Sequence, residues 1–259
     1  MYKGFKTQPG SELILNTRIS TFMKHVPNLI TLLNLALGCT AIILAFSGDM
    51  FWVPHLVIAA ALADFIDGLA ARMLKVSSPL GVQLDSLADM VTFGVLPGVV
   101  VYQLLYEAIG YTVLWWQPLP AMLITIFSAI RLAKFNIDTR QSDGFIGVPT
   151  PTCTMFIISL LLITQNDRFE LAQYIFQPIF LYAVTLIFSL LLIAELPMPA
   201  LKFKHLGWKG NEIKYIAVAL GLALVALLGG LGITIAILIY IFIAIVQKLL
   251  GFRRKVSVE

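Results

Sequence analysis

Four aspartates lie close together in one short part of the chain. They are Asp64, Asp67, Asp85 and Asp89. If their segments are helical, Asp64 and Asp67 share one face, while Asp85 and Asp89 stand one above the other. No histidine or cysteine accompanies them, so a metal bound here would have oxygen ligands only, which favours Mg²⁺ or Mn²⁺ over zinc. One or two such ions suit phosphoryl chemistry, because metals bind phosphate oxygens and stabilise developing charge.

The apolar surroundings of these aspartates call for a compensating cation. An aspartate at the centre of a membrane span costs roughly 2.5–3.5 kcal/mol on insertion scales, and four neighbouring carboxylates also repel one another. Arg72 brings a single positive charge, so divalent ions balance the cluster better. Two alternatives are open: acids that cap helix ends and pair with Arg72 and Lys75, or acids of a proton or cation pathway. Transport predicts acids deep in several spans, whereas apart from Glu195 the acids in the spans surround one connection.

The segments that must position the aspartates are strongly apolar. Hydrophobic residues make up 59% of the 259 residues and charged residues 12%, against about 45–50% and about 25% in soluble globular proteins. The apolar residues fall in blocks of about twenty, the length at which a helix crosses the hydrocarbon of a bilayer. We therefore predict an all-α membrane protein of about eight transmembrane helices. They cover roughly residues 29–47, 51–73, 85–106, 112–135, 149–165, 175–196, 213–229 and 231–248.

Basic residues lie almost entirely on one side of the predicted spans. All of the 18 Lys and Arg residues except Arg168 fall near the two termini or the connections after the second, fourth and sixth spans. Because cytoplasmic connections are enriched in Lys and Arg, we expect both termini in the cytoplasm and the protein in the cell (inner) membrane. The net charge of +4 needs no nucleic acid as a partner, since a basic face suits the anionic headgroups of the lipid bilayer.

The two ends of the chain differ from its centre. Apolar residues at helical spacing predict an interfacial amphipathic helix within residues 1–26; a cytoplasmic extension of the first span is the alternative. Residues 27–200 would form the main domain, and 201–259 a cytoplasmic loop, a transmembrane hairpin and a basic tail. In the fourth span, Pro118 and Pro120 are expected to introduce a kink or to shift its start.

The aspartate segment resembles the signature of the CDP-alcohol phosphotransferase family, D-x2-D-G-x2-A-R-x8-G-x3-D-x3-D. Every fixed position is present: Asp64, Asp67, Gly68, Ala71, Arg72, Gly81, Asp85 and Asp89. The resemblance implies a six-helix core with its active site near the cytoplasmic membrane surface. It also implies two divalent cations held by the four aspartates, with Asp89 as the general base. Gly68, Ala71 and Arg72 would line the CDP site, and Gly81 belongs to the same substrate-binding set.

Three further stretches resemble the bacterial phosphatidylserine synthases within that family. They run over residues 85–94, 131–136 and 145–151, with mild departures at Thr92, Lys134 and Val148. The resemblance implies a homodimer that transfers the phosphatidyl group of CDP-diacylglycerol to L-serine and releases CMP. A sister transferase that uses glycerol-3-phosphate or inositol is the alternative within this class of enzyme. A cation transporter is the alternative outside it.

Four polar residues outside the signature are candidates for substrate binding. Arg131 could bind the serine carboxylate or a lipid phosphate through two parallel hydrogen bonds; the alternative is a basic anchor that reaches the headgroups. Asn136 follows in the same stretch. Thr31 and Asn34, in the first span, could contact the nucleotide or could only bond to neighbouring helices.

Overall fold

The computed structural model describes residues 9–74, 76, 78–110, 112–138, 145–199 and 211–250, without the side chains of residues 9–24, 145, 213 and 214. Within these residues the chain is almost entirely helical, which confirms the predicted all-α membrane fold. The helices are α1 (Pro9–Phe46), α2 (Val53–Met73), α3 (Pro79–Asp89), α4 (Leu96–Ile109), α5 (Met122–Ile137), α6 (Thr150–Gln165), α7 (Ala172–Ile175), α8 (Pro178–Ile193), α9 (Glu212–Leu228) and α10 (Gly230–Leu249).

Five helical stretches are long and apolar enough to cross a membrane. They are His25–Phe46, Val53–Met73, Pro79–Ile109, Leu119–Ile137 and Gly230–Leu249. Three shorter apolar helices, Thr150–Gln165, Pro178–Ile193 and Tyr215–Leu228, fall where the other three spans were predicted. Large apolar side chains remain on the outside of this bundle, for example Ile179 and Phe242. Such a surface requires lipid around it, and the chain is an integral membrane protein.

The first helix continues without a break from Pro9 to Phe46 and passes through Pro27. The segment predicted as a separate interfacial helix is therefore joined to the first span in one helix. Residues 1–8, and the side chains up to residue 24, lie outside the described part of the chain. The position of this segment relative to the bilayer stays a prediction.

The third span begins earlier than predicted. Its helix begins at Pro79, and α3 and α4 form one continuous helical stretch to Ile109 through a π-helical segment, Met90–Val95. Ser78 is the N-cap residue, because its hydroxyl accepts a hydrogen bond from the Gly81 N–H at 3.0 Å. A proline is well tolerated in the first turn, where its missing N–H would have no partner. Pro79 and Gly81 thus lie in the first turn of the helix.

Two other spans, in contrast, begin later than the hydropathy predicted. The fourth begins with a 3₁₀ turn, Leu119–Ala121, which leads into α5. Pro118 and Pro120 therefore shift its start, one of the two effects that were expected of them. The sixth begins at Pro178, after the short helix α7. In both places a proline lies in the first turn, and the residues before that turn are not part of the spanning helix.

The core lies where α4 and α6 meet the other helices of the bundle. Val100, Leu105, Ile157 and Ile158 are among its buried side chains. The C-terminal hairpin turns at Gly229, whose φ of 58° suits glycine. Its second helix, α10, packs against α6, so the hairpin is attached to the core.

A two-residue antiparallel pair joins β1 (Phe145–Ile146) to β2 (Pro197–Met198). Just after it, the Gly147 N–H donates to the Leu196 carbonyl at 2.9 Å and the Val148 N–H to the Leu191 carbonyl at 3.1 Å. The pair therefore brings the residue 145–151 stretch against the C-terminal end of α8. The Tyr240 hydroxyl of α10 donates to the Pro199 carbonyl at 3.0 Å and holds the far strand in place.

Candidate active site

Three helices surround the aspartates. The first helix packs against both α2 and α3, and the connection between α2 and α3 ends at the Ser78 cap. Asp64 and Asp67 lie in the last three turns of α2, while Asp85 lies in the second turn of α3. The early start of α3 places Asp85 within a formed helix, so its direction is set by the helix backbone.

Three of the four carboxylates converge. One oxygen each of Asp64, Asp67 and Asp85 lies within 4.8 Å of the other two. Asp67 is only 4% exposed, and Asp64 and Asp85 are half-buried. A set of carboxylate oxygens at this spacing, largely withdrawn from water, fits a hard divalent cation such as Mg²⁺ or Mn²⁺. These residues could therefore hold a metal ion.

Asp89 adjoins this group through Asp64. The two carboxyl groups are close enough to interact, and a proton or a metal ion between them would offset their mutual repulsion. Asp89 Oδ1 is buried and has no hydrogen-bond partner among the described residues. The structure thus brings all four aspartates close together, while the predicted role of Asp89 as general base stays a prediction.

Thr31 and Asn34 lie beside the cluster on α1, but in different environments. The Thr31 hydroxyl is 2.6 Å from Asp67 Oδ2 and 3.0 Å from the Pro27 carbonyl oxygen. It can orient the Asp67 carboxylate, a role that the sequence did not indicate. The Asn34 side chain is fully buried, and neither atom of its amide has a hydrogen-bond partner in the described part of the chain.

A cavity of about 440 Å³ opens beside the cluster. It is lined by residues of α1, α2, α3 and the connection between them: Pro27, Asn28, Thr31, Asp67, Gly68, Ala71, Arg72, Val76, Ser78, Gly81, Val82 and Asp85. All four signature residues predicted to bind substrate, Gly68, Ala71, Arg72 and Gly81, are in this wall. The sequence analysis missed Asn28, Val76 and Ser78, although a serine before a proline is a common helix-start pattern.

Gly68 and Gly81, the two glycines of this wall, have different surroundings. A Cβ at Gly81 would lie 2.8 Å from Asn28 Oδ1 and 3.1 Å from Ser78 Oγ, so the packing of α1 against α3 accounts for Gly81. A Cβ at Gly68 would meet only the Arg72 guanidinium, at 3.5 Å, an ordinary contact. Protein packing does not account for Gly68, and its open backbone faces the cavity.

Arg131 lines a second cavity of about 350 Å³. It is 7% exposed, and its Nη1 donates to Thr150 Oγ1 at 3.2 Å, while Nε has no partner among the residues described. Its charge is close enough to Asp89 for the two to interact. The remaining lining comes from the ends of α5 and α8 and from β1: Lys134, Phe135, Ile137, Asp138, Ile146, Leu192, Ile193, Ala194 and Glu195. The sequence did not reveal Thr150 as the partner of Arg131.

Asn136 lines neither of these two cavities. It is exposed, and its Nδ2 donates to Ser86 Oγ at 3.0 Å. This bond joins the end of α5 to α3 beside Asp85. The structure therefore places Asn136 as a link between helices near the cluster, and its predicted contact with substrate stays a prediction.

Comparison with known proteins gives a consistent result. The profile of the CDP-alcohol phosphatidyltransferase family matches residues 24–193. A Helicobacter pylori protein named CDP-diacylglycerol–serine O-phosphatidyltransferase is 32% identical over 201 residues, which are 77% of this chain and 80% of that protein. A Bacillus subtilis protein of the same name is 32% identical over 183 residues, 71% of this chain and 94% of that protein.

An archaeal relative is similar over a shorter stretch. The archaetidylserine synthase of Methanothermobacter thermautotrophicus is 29% identical over 152 residues, 58% of this chain and 63% of that protein. The profile match spans α2, α3, all four aspartates, the whole lining of the first cavity and all of the second except Ala194 and Glu195. On the strength of this match and of the aspartate cluster, the chain belongs to the CDP-alcohol phosphatidyltransferase family.

Proposed function

We propose that this protein transfers the phosphatidyl group of CDP-diacylglycerol to L-serine, giving phosphatidylserine and CMP. The observation that carries the proposal is the four-aspartate cluster, which adjoins a cavity lined by the signature residues and whose Asp89 interacts with buried Arg131. The names of the relatives at 32% identity support serine as the acceptor. The two cavities would then serve the two substrates.

The donor side of the site is the cavity beside α1, α2 and α3. Asp64, Asp67, Asp85 and Asp89 would hold two divalent cations, Mg²⁺ or Mn²⁺. When bound, such ions neutralise the charge of phosphate oxygens. Gly68 leaves its backbone open to the nucleotide, and Arg72 at the exposed edge can pair with a phosphate. The acyl chains of the donor would stay in the bilayer, which the exposed apolar side chains of α2 face.

The acceptor side is the cavity beside Arg131. A buried guanidinium with a free Nε suits a carboxylate, because both groups are planar and can form two parallel hydrogen bonds. Serine bound in this way would place its hydroxyl towards Asp89. Asp89 Oδ1 would accept the hydroxyl proton, the serine oxygen would bond to the lipid-side phosphorus, and the bond from that phosphorus to CMP would break.

The expected setting is the cytoplasmic side of the cell membrane, with both termini in the cytoplasm. The distribution of Lys and Arg supports this orientation, and both aspartate-bearing helices meet at a connection on that side. The family resemblance also favours a homodimer. The mass of the detergent-solubilised protein, corrected for bound detergent, tests that assembly directly.

The proposed reaction can be tested with the purified full chain in detergent. CDP-diacylglycerol is supplied with Mg²⁺ or Mn²⁺ and with serine, glycerol-3-phosphate or inositol in turn, and CMP release is measured. Serine should give the fastest release, a chelator should abolish it, and added metal should restore it. Faster release with another acceptor would contradict the assignment of serine as the acceptor. Full activity in the presence of chelator would contradict the proposed metal dependence. If no acceptor led to CMP release, the alternative function as a cation transporter would be favoured.

The role of Arg131 has its own test. Arg131→Lys keeps the charge but loses the paired hydrogen bonds, so the KM for serine should rise while the KM for the donor stays unchanged. Arg168→Lys, in the connection on the opposite side, is the matched control and should change neither constant. An unchanged KM for serine in Arg131→Lys would assign Arg131 to anchoring instead.

A further inference from the structure

A π-helical segment directly follows Asp89. It covers Met90–Val95 and lies between α3 and α4; at its end the Leu96 N–H donates to the Val91 carbonyl, five residues back. Segments of this type are rare and occur mostly as single wide turns at functional sites. Because the wide turn disturbs the regular bonding pattern, its backbone carbonyls need partners from elsewhere.

Three neighbouring residues of this segment are bonded to three other helices. The Thr154 hydroxyl of α6 lies 3.0 Å from the Phe93 carbonyl oxygen, and the Thr125 hydroxyl of α5 lies 3.1 Å from that of Gly94. The hydroxyl of Thr92 itself is 3.3 Å from the Asn34 carbonyl oxygen of α1. Thr92, Phe93 and Gly94 are buried; the bonds at Thr92 and Phe93 are buried, and the bond at Gly94 is partly buried.

The bond from Thr125 is the more specific of the two bonds donated to the segment. The Thr154 hydroxyl is equally close, at 3.0 Å, to the Thr150 carbonyl of its own helix and divides its bonding between the two. For Thr125, the Gly94 carbonyl is its hydrogen-bond acceptor. The close approach of α5 is also evident at Gly94, where a Cβ would lie 3.3 Å from Ser128 Cβ.

The wide turn changes which way Asp89 points relative to α4. An α-helix has 3.6 residues per turn, so each residue adds about 100° of rotation. One extra residue in the wide turn therefore rotates the side chains before it by about 100° relative to those after it. In this way Asp89 reaches Asp64 while Val100, Leu104 and Leu105 of α4 stay in the core. If the segment relaxed to a regular α-helix with α4 held by its packing, Asp89 would rotate away from the cluster.

We infer that Thr125 and Thr154 are positioning residues: their hydroxyls hold the π-helical segment that directs Asp89 at the reacting groups. This inference rests on the function proposed for Asp89. Both threonines lie outside the two cavities, so they act through the backbone of the segment and touch neither substrate. Their removal should therefore lower kcat while both KM values stay nearly constant.

The test compares Thr125→Val with Thr125→Ser. Valine keeps the shape but loses the hydroxyl, so kcat for CMP release should fall roughly 10–100-fold, the order expected for a small misplacement of a catalytic group. Serine keeps the hydroxyl and should recover most of the rate. Thr154→Val should lose less, since its hydroxyl is shared. The control is Thr185→Val, because the Thr185 hydroxyl is buried but, among the described residues, bonds within its own helix, to the Leu181 carbonyl at 2.8 Å.

A double-mutant comparison separates positioning from general destabilisation. In an Asp89→Asn background, Thr125→Val should cause no further loss of kcat, because the group that it positions is already disabled. Full additivity of the two losses would overturn the inference while leaving the proposed function intact. If Thr125→Val lowers the thermal midpoint but kcat per folded protein is unchanged, its role is structural and the inference is wrong. Full activity of Asp89→Asn would overturn both the role of Asp89 and the inference.

Discussion

Asp89 differs from the other three aspartates in its surroundings. It contacts Asp64 but lies one turn beyond Asp85, outside the three converging oxygens, and its Oδ1 has no partner among the described residues. Arg131 is near enough to interact with its charge. A buried carboxylate that adjoins the cluster, interacts with a nearby arginine and has one oxygen without a partner is suited to receive a proton from an acceptor bound there.

Replacing Asp89 by asparagine should therefore affect turnover more than binding. Asparagine has nearly the same size and can still offer one oxygen to a metal, but it cannot take a proton at neutral pH. We expect kcat to fall by about 10²–10⁴, the usual effect of removing a general base, while CDP-diacylglycerol still binds. Titration of the donor beside turnover measurements checks both parts. Loss of donor binding with normal turnover at saturating metal would make Asp89 a ligand only.

Asp67→Asn is the comparison for this variant. Asp67 belongs to the converging group and accepts the short hydrogen bond from Thr31. Its replacement should weaken metal binding, and higher metal concentration should partly restore activity. Rescue of Asp89→Asn by metal to the same extent would remove the distinction between the two residues.

Gly68 provides a second test at the level of single residues. A methyl group at Gly68 has room beside Arg72, so Gly68→Ala should fold normally but should raise the KM for CDP-diacylglycerol by filling space in the donor cavity. Gly81→Ala is the contrasting variant, because its Cβ would press against Asn28 and should lower the thermal midpoint. An unchanged donor KM in Gly68→Ala would mean that the nucleotide does not approach this backbone.

At the level of elements, the start of α3 decides where Asp85 lies. The Ser78 hydroxyl caps the helix, Pro79 occupies its first turn, and Asp85 follows in the second turn. The hydropathy analysis placed this boundary several residues later because residues 79–84 are only moderately apolar. The local capping pattern marks the start more accurately than the apolar block does.

Ser78→Ala should weaken both the helix and the metal site. Loss of an N-cap hydroxyl costs about 0.5–2 kcal/mol, so the midpoint of thermal unfolding should fall. Metal affinity should fall with it, because the first turns of α3 carry Asp85. Tryptophan fluorescence during heating and a metal titration measure the two effects. Ser78→Thr retains the cap and should behave like the parent protein; an equal loss in both variants would point away from capping.

At the level of the whole molecule, the C-terminal hairpin is part of the packed structure. Ser159 of α6 and Thr234 of α10 share a hydrogen bond of 2.7 Å, and Gly230 allows the start of α10 to approach α6. Tyr240 then holds the Pro199 backbone near the acceptor cavity. Of the two helices that the family resemblance leaves outside the six-helix core, α10 thus supports the strand pair beside Arg131.

Gly230→Ala tests this attachment. Its Cβ would lie 2.8 Å from Leu162 Cβ and 2.9 Å from the Ser159 carbonyl oxygen, and backbone atoms cannot easily move away. Overpacking of this kind typically costs 1–3 kcal/mol, so the thermal midpoint should fall by a corresponding amount. Gly221→Ala, on α9 with nothing within 4 Å of its Cβ, is the control and should be neutral or slightly stabilising. Equal midpoints for both variants would contradict close packing of α10 on α6.

The orientation of the chain in the membrane can be tested by chemical labelling. In a background with Cys39 and Cys153 replaced by alanine, Asn166→Cys adds a thiol in the connection that contains Arg168. Asp138→Cys adds one at the opposite end of the spans. A membrane-impermeant maleimide should label the first in intact cells and the second only after the membrane is opened. The reverse pattern would place both termini outside the cytoplasm.

Much of this protein could be derived from the sequence because the deciding signals are local. Blocks of about twenty apolar residues identify the spans through the thickness of the bilayer alone. The spacing of Asp64, Asp67, Asp85 and Asp89 places pairs of carboxylates on helix faces without any knowledge of neighbours. The Lys and Arg distribution predicts an orientation in the same way. Each of these inferences needs only the residues of one segment and the properties of water, lipid or a helix.

Only the tertiary structure decided which groups meet across segments. The bond from Thr31 to Asp67, the partnership of Arg131 with Thr150, the link from Asn136 to Ser86, and the division of the site into two cavities all join residues of different helices. The π-helical segment after Asp89 also has no signature in hydropathy, because its carbonyls find partners on α5 and α6. These features depend on how whole helices pack, and packing is determined by side chains far apart in the chain.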